Sequence, residues 1–324
     1  METQPQDRVT AAGFKKRPCP LCGADSPRVR FKKAGFRFGE CERCGLLYIP
    51  EVLKDNIHFR EDFYDEAGLN EYEPLRDASV RGERMGRLIR HIRRVFGEKK
   101  DVSILDVGCG KGWHLDYLRW KGYSSVRGIE VNASAARAAR ARGLAVDEGF
   151  LETRHYADAS WDVVYMDQVV EHLEEPAALL AEVHRILKPG GFLWASVPNI
   201  RAWHILFRLK ERHRHFDGRG HLNYYTRATL AKTLEKEGFR VESNETYLEE
   251  FTIQRLKGVL LSPADFDMPA IEKSRTPAAA AQAAPNGAGV KKLLRTLAAP
   301  VNAPLIWITR LMGGGAYIEA VGRK

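Results

Sequence analysis

The 324-residue chain has only five cysteines, and nowhere do eighteen uncharged apolar residues run together. A membrane-spanning helix needs about twenty such residues, so none is expected. The first thirty residues show no apolar core behind a basic start, so no secretion signal is read there. The expectation is a cytoplasmic protein whose reduced thiols serve a metal or packing rather than disulfides. No internal repeat is present, and aromatic and basic residues never interleave as in a base-stacking platform.

What is present reads as a globular chain, 44% hydrophobic and 29% charged, with a formal charge of +9. Such a charge suits an anionic partner, and equally an enzyme with none. Its distribution says more. Residues 1–50 hold ten Lys/Arg against five Asp/Glu, and residues 201–220 hold six against two.

Between residues 101 and 250 short apolar runs alternate with amphipathic ones, the pattern of βαβ units and a mostly parallel sheet. Strands are expected at Val102–Val107, Val126–Ile129, Asp162–Met166 and Phe192–Val197, with helices at Ala133–Arg142 and Ala177–Leu187. Ahead of them Met85, Leu88, Ile89, Ile92 and Phe96 recur at helical spacing. Residues 276–290 have linker composition. Residues 291–312 mix basic and apolar side chains around Pro300 and Pro304, so they cannot form one straight helix. They suit packing over a pocket, a dimer contact or peripheral contact with a membrane surface.

The most informative run is LDVGCGKG, in which a strand, a glycine-rich turn and a helix start follow one another. Glycines let backbone approach a ligand closely, and the N–H groups of the helix start face it. The spacing is G-x-G-x-G rather than the G-x-G-x-x-G of dinucleotide sites, and Trp113 is too bulky for the third glycine's packing role. The next strand ends in Glu130, where a carboxylate would reach ribose hydroxyls.

In order along the chain LDVGCGKG, GIEVN, WDVVYMDQVVEHLEEP, LKPGGFLWASVPN, HLNYYTRATLAKTLEKEGFRV and GAYIEAVGRK resemble the successive motifs of class I S-adenosylmethionine (SAM)-dependent methyltransferases. The resemblance covers about residues 100–245 and the final ten. It implies an α/β fold with a doubly wound, mostly parallel sheet whose last strand is reversed. It also implies SAM as cofactor, with Asp106, Gly108 and Gly110 along its methionine end and Glu130 on its ribose. Asp147 to Phe150, with Gly149 among them, would lie against the adenine edge. Phe150 departs from the aspartate that the family often carries there, so apolar contact would replace a polar one.

Cys19-x-x-Cys22 and Cys41-x-x-Cys44 are two knuckles with eighteen residues between them. Each presents two thiolates on one turn, and the pair can close a tetrahedron on Zn²⁺. Gly23 and Gly45 follow, where the turn wants a positive φ. Four protein ligands leave no open position, so the expected zinc is structural. The domain reading is therefore a ribbon at 1–50 and a helical connector or cap at 51–100. The SAM-binding core follows at 101–250, an insertion at 251–312 and the final core strand at 313–324.

In-line methyl transfer needs a positioned nucleophile and, for a hydroxyl or acidic carbon, a base. Asp167, Glu171 and His172 follow the Asp162–Met166 strand at the ligand-binding end of such a sheet, and His221 occupies another position typical of the family. His172 has the chemistry of a base near neutral pH. Tyr224 or Tyr225 could line the acceptor pocket. Three functional readings remain: transfer to a small, anionic acceptor; RNA methylation with the basic ribbon holding phosphates; and a non-catalytic SAM-binding protein.

Overall fold

The computed structural model describes residues 13–54, 80–202, 216–247 and 316–324. Most of the basic run 201–219, the linker composition at 276–290 and the apolar segment 291–312 lie outside those residues. Among the described residues no helix is long and apolar enough to cross a membrane.

A seven-stranded sheet forms the centre. Its strands are β6 (Ile104–Val107), β7 (Val126–Glu130), β8 (Val146–Glu148), β9 (Trp161–Asp167), β10 (Leu187–Pro198), β12 (Arg240–Tyr247) and β13 (Tyr317–Arg323). The spatial order is β12-β13-β10-β9-β6-β7-β8, with β13 antiparallel to both neighbours. The chain starts in mid-sheet at β6, winds outward to β8, then returns to β9 and winds the other way. The carboxyl ends of β6 and β9 therefore diverge at a switch point, where ligands of such sheets bind. β10 begins five residues before the expected strand, because its pairing with β9 resumes across an irregularity between Leu187 and Phe192.

Helices cover both faces, as parallel strands require. Helix α1 (Val80–Phe96) buries Met85, Leu88, Ile89 and Ile92 against Val163, Tyr165, Phe192 and Trp194. Each such side chain contributes about 1.5–3 kcal/mol by leaving water. The segment expected as a connector thus ends in a helix that belongs to the core. Helix α2 (Trp113–Trp120) packs beside it, and α3 (Ala133–Ala141) starts where Asn132 accepts the Ala135 N–H. Helix α4 (Pro176–Ile186) lays Leu179, Leu180, Val183 and Ile186 on the opposite face. Helix α5 (Arg227–Lys236) is held by a reciprocal cap between Thr226 and Thr229.

The N-terminal strands are β1 (Phe14–Lys16), β2 (Pro27–Lys33), β3 (Phe36–Cys41), β4 (Leu47–Tyr48) and β5 (Glu51–Leu53). The expected boundary at residue 50 falls inside paired structure, since β5 pairs with β1. Nor does the ribbon stand apart. A short strand from much later in the chain, β11 (Asn223–Tyr224), joins β4 to make the sheet β11-β4-β3-β2. Phe36, Phe38, Ile49 and Val52 share one apolar cluster with Phe216, Leu222 and Tyr224, which explains why the pairing crosses the boundary.

Gly112, the residue before α2, has φ +81°, and a Cβ there would run into Leu144. Gly112→Ala combines left-handed strain with overpacking, so the unfolding free energy should fall by about 2–4 kcal/mol. Urea titration measures it, and an unchanged midpoint would contradict this packing.

Candidate active site

The loop between β6 and α2 turns on three glycines, Gly108, Gly110 and Gly112, all with positive φ. The N–H groups of Gly108 and Cys109 donate to Ile129 O at 2.8 and 3.2 Å, tying the loop to β7. A Cβ on Gly108 would lie 2.7 Å from Val169 Cγ2, so only glycine permits this approach to the turn after β9. The packing role of a third glycine is met differently from the dinucleotide pattern, by Gly128 on β7 beneath Cys109. At the end of β7 the buried Glu130 accepts Gly110 N–H at 2.7 Å and Asn132 N–H at 2.8 Å. Burial raises its pKa and these N–H groups oppose the rise. Each carboxylate oxygen keeps a second lone pair, enough for two neighbouring hydroxyls.

Beyond β8, Gly149 N–H donates to Glu130 O at 2.9 Å, which sets Phe150 beside the acidic strand end with 45% of its surface exposed. Asp147 is occupied elsewhere. Its carboxylate accepts from Tyr156, Arg154 and Arg127. Against the burial that would raise it, these bonds hold it below the usual range. An apolar wall at Gly149 and Phe150 is what remains for a planar base.

Beneath the loop lies a buried chain of charges. His114 Nδ1 is 3.5 Å from Asp106 Oδ2, and its Nε2 is 3.4 Å from Asp167 Oδ2. Burial alone would make the imidazole a weaker base, but the two carboxylates more than offset it and raise its pKa to about 9. Asp167 also takes a 2.5 Å bond from Arg84 on α1, which in turn lies 3.9 Å from Glu319 on β13. Arg84 and His114 outweigh burial and keep Asp167 ionised, well below the usual carboxylate range. So held, Asp167 is a poor proton acceptor. Its place is as an electrostatic anchor, which differs from the catalytic role expected of it. Asp106 is the opposite case. Burial raises its pKa, and among the described residues neither oxygen finds a hydrogen-bond partner. A buried carboxylate beside a glycine loop, facing His114 but with neither oxygen hydrogen-bonded, fits the ammonium of an amino-acid ligand, so these residues fit SAM.

Past β9, Gln168 takes φ +58°, a strained turn for a residue with a side chain. A single 3-10 turn, Val170–His172, follows. His172 and His221 come together with ring centroids 4.8 Å apart. His172 Nδ1 is 2.9 Å from the Gly220 carbonyl, which assigns the proton to Nδ1 and leaves Nε2 as the basic nitrogen. Glu171, beside them, is pushed well above the usual carboxylate range by burial, and its Oε1 lies 3.9 Å from His172 Nε2. The His221 loop is ordered by Asp217, whose Oδ1 accepts the N–H groups of Arg219, Gly220 and His221. Pro198, Asn199, Ile200, Phe216, His221, Asn223 and Tyr224 line a cleft here. Tyr224 is therefore on the cleft, whereas Tyr225 is in the main core.

In the ribbon the two knuckles repeat one geometry. Gly23 N–H donates to Cys19 O and Gly45 N–H to Cys41 O, both at 2.8 Å, and both glycines have positive φ. The Sγ atoms of Cys19 and Cys44 are 3.5 Å apart, those of Cys22 and Cys41 3.4 Å, and all four lie within 4.8 Å of one another. Zn–S bonds of about 2.3 Å at tetrahedral angles place sulfurs roughly 3.8 Å apart, so the donor set fits zinc. Cys109 lies apart from them as a buried packing residue.

The residues missed in the sequence are Arg17, Arg84, His114, Asn223 and Glu319. His114 alone offered a local signal, as a titratable side chain at the start of the helix behind the glycine loop. Its raised pKa has a consequence for stability. The contribution is complete below about pH 6.5 and is lost as pH rises through about 9. Wild-type unfolding free energy should fall by about 2–3 kcal/mol more than that of His114→Gln between those limits. Equal pH slopes in urea titrations of the two proteins would contradict the placement of this proton.

A family model described as a methyltransferase domain matches residues 80–244. The ubiquinone biosynthesis O-methyltransferase of Idiomarina loihiensis is 28% identical over 163 residues, 48% of this chain and 63% of that protein. A malonyl-[acyl-carrier protein] O-methyltransferase of Hahella chejuensis is 31% identical over 171 residues, 48% of this chain and 60% of that protein. The chain thus spans less than two thirds of either relative. A solved SAM-dependent methyltransferase from Mesorhizobium loti superimposes with a TM-score of 0.47 at 17% identity, covering 76% of this chain and 99% of that one. The matched domain begins at α1 and takes in the glycine loop, the acidic strand end and the turn that carries His172, and by it the chain belongs to the class I SAM-dependent methyltransferases.

Proposed function

We propose that this protein methylates an oxygen of a small, anionic acceptor, with SAM as the methyl donor. The observation that carries the reading is the meeting of two halves at the switch point. On one side are the glycine loop, the buried Asp106 carboxylate, whose oxygens make no hydrogen bond among the described residues, and Glu130. On the other is the His172–His221 pair, of which His221 lines a cleft.

When bound, SAM supplies an electrophilic methyl on sulfur. Asp106 accepts its ammonium, Glu130 its ribose hydroxyls, and Phe150 covers its base. His172 Nε2 takes the proton of the acceptor hydroxyl, and the Gly220 carbonyl holds the imidazole in the tautomer this requires. Both curated relatives are named as O-methyltransferases, which supports oxygen as the methylated atom. Six basic residues between 201 and 219 support a negative charge on the acceptor. The ribbon offers RNA less than its composition suggests. Arg30 pairs with Glu40 at 3.3 Å and Lys15 with Glu174 at 2.7 Å, while Arg37 is bound by Glu51.

Methyl-labelled SAM incubated with an extract of the source cells should yield a labelled small molecule. His172→Ala should lower that incorporation by about 10²–10⁴-fold, the usual contribution of a general base, with SAM affinity intact. Label appearing instead in RNA would favour the basic ribbon as a phosphate clamp. Turnover near wild type in the variant would remove His172 from the chemistry.

The four ribbon cysteines hold one structural Zn²⁺ per chain in this reading. Elemental analysis should find it after purification without chelator. Stripping it should make Cys19, Cys22, Cys41 and Cys44 reactive to a thiol reagent. Cys109, whose thiol burial pushes well above its usual pKa, should stay unreactive until the chain unfolds. Zinc well below one per chain would contradict the assignment.

A further inference from the structure

Arg17 lies in the ribbon, one residue past β1, yet its guanidinium works outside it. Its Nε donates to Ile49 O at 2.8 Å within the ribbon. Its Nη1 donates to Glu174 O at 2.8 Å, two residues past His172. Its Nη2 donates to Leu222 O at 2.7 Å and Asn223 Oδ1 at 2.9 Å, directly after His221. The buried Asn223 carries the link further. Its Nδ2 donates to Leu173 O at 2.7 Å and Val170 O at 3.4 Å, gripping both ends of the turn that carries Glu171 and His172. Leu222 N–H closes the circuit on Glu171 O at 2.8 Å, and Ile49 N–H reaches Leu222 O at 2.9 Å.

The two segments that carry the histidines come from distant parts of the chain, and one planar group anchored in the ribbon binds both. A general clamp between ribbon and core would have no reason to choose these segments. Such a clamp exists separately, where Lys236 on α5 donates to Leu21 O at 2.9 Å. We infer that Arg17 is a positioning residue, through which the cysteine ribbon fixes the His172–His221 pair. The inference rests on the proposed acceptor role of that pair for its meaning in catalysis, but not for its geometry. A lysine at this position keeps the charge and loses the fork that reaches four acceptors in three directions.

The test is the imidazole ¹⁵N spectrum of the zinc-loaded, full-length protein, with SAM affinity measured alongside. In Arg17→Lys and in Asn223→Ser the His172 and His221 signals should shift, and His172 should lose its fixed Nδ1–H tautomer. His114 signals and SAM affinity should hold within about a factor of two, as expected of a separate site. Lys236→Met, which cuts the other clamp, should leave the histidine pair at its wild-type positions. Wild-type His172 and His221 spectra in both Arg17→Lys and Asn223→Ser would overturn the inference, as would equal shifts in Lys236→Met. If Arg17→Lys fails to fold, Asn223→Ser decides by the same criteria. The signals report geometry without any acceptor, so a His172 that proved irrelevant to turnover would leave this result standing.

Discussion

His114 sits between Asp106 and Asp167 where water hardly reaches, and the charges there have to balance within the protein. They do so across five elements. Asp106 comes from β6, His114 from α2, Asp167 from β9, and Arg84 from α1, with Glu319 on β13 behind it. Arg87 completes the set by binding Glu319 through Nε at 2.8 Å. The network fixes where α1 lies on the sheet and how the strand ends face one another. It also leaves Asp106 with a buried carboxylate unpartnered by hydrogen bonds, which is a cost unless a ligand answers it. A ligand carrying an ammonium would answer that cost, which is the role proposed here for Asp106 toward the cofactor.

The acceptor side is built on a different principle. Among the described residues hydrogen bonds order it: the Asp217 carboxylate holds the His221 loop, and backbone carbonyls are collected by the Arg17 fork and by Asn223. With the proposed acceptor role of the histidine pair, that arrangement would make the ribbon a wall of the site rather than an appended module. The strand β11 states the same point in the backbone, being a piece of the catalytic half paired into the ribbon sheet. A metal at the four cysteines would then act on chemistry only through the stiffness of that wall.

The parts legible in the sequence are those whose physics is local. The apolar runs that became β6, β7, β9 and β10 announce themselves by continuity, the glycine loop by its spacing, and the cysteine knuckles by theirs. Glu130 was readable because a strand end fixes where its side chain goes. Arg84, Arg17 and Glu319 were not readable, because their partners are far away in sequence. Arg17 and Glu174 are 157 positions apart, and Arg87 and Glu319 are 232 apart. In sequence each is one more charge on a polar stretch. Asp167 shows the same division: its position follows from the strand, but its ionisation follows from Arg84 and His114. The ribbon boundary failed at residue 50 because composition changes there while pairing does not.

The claim on which the account turns is that Asp106 receives the cofactor's ammonium. Calorimetric titration of SAM into wild-type protein and into Asp106→Asn, which keeps the shape and removes the charge, tests it most directly. The account predicts a loss of about 1.5–3 kcal/mol, roughly 10- to 150-fold in affinity, the range for a charge-assisted hydrogen bond. Equal affinity in the two proteins would contradict it.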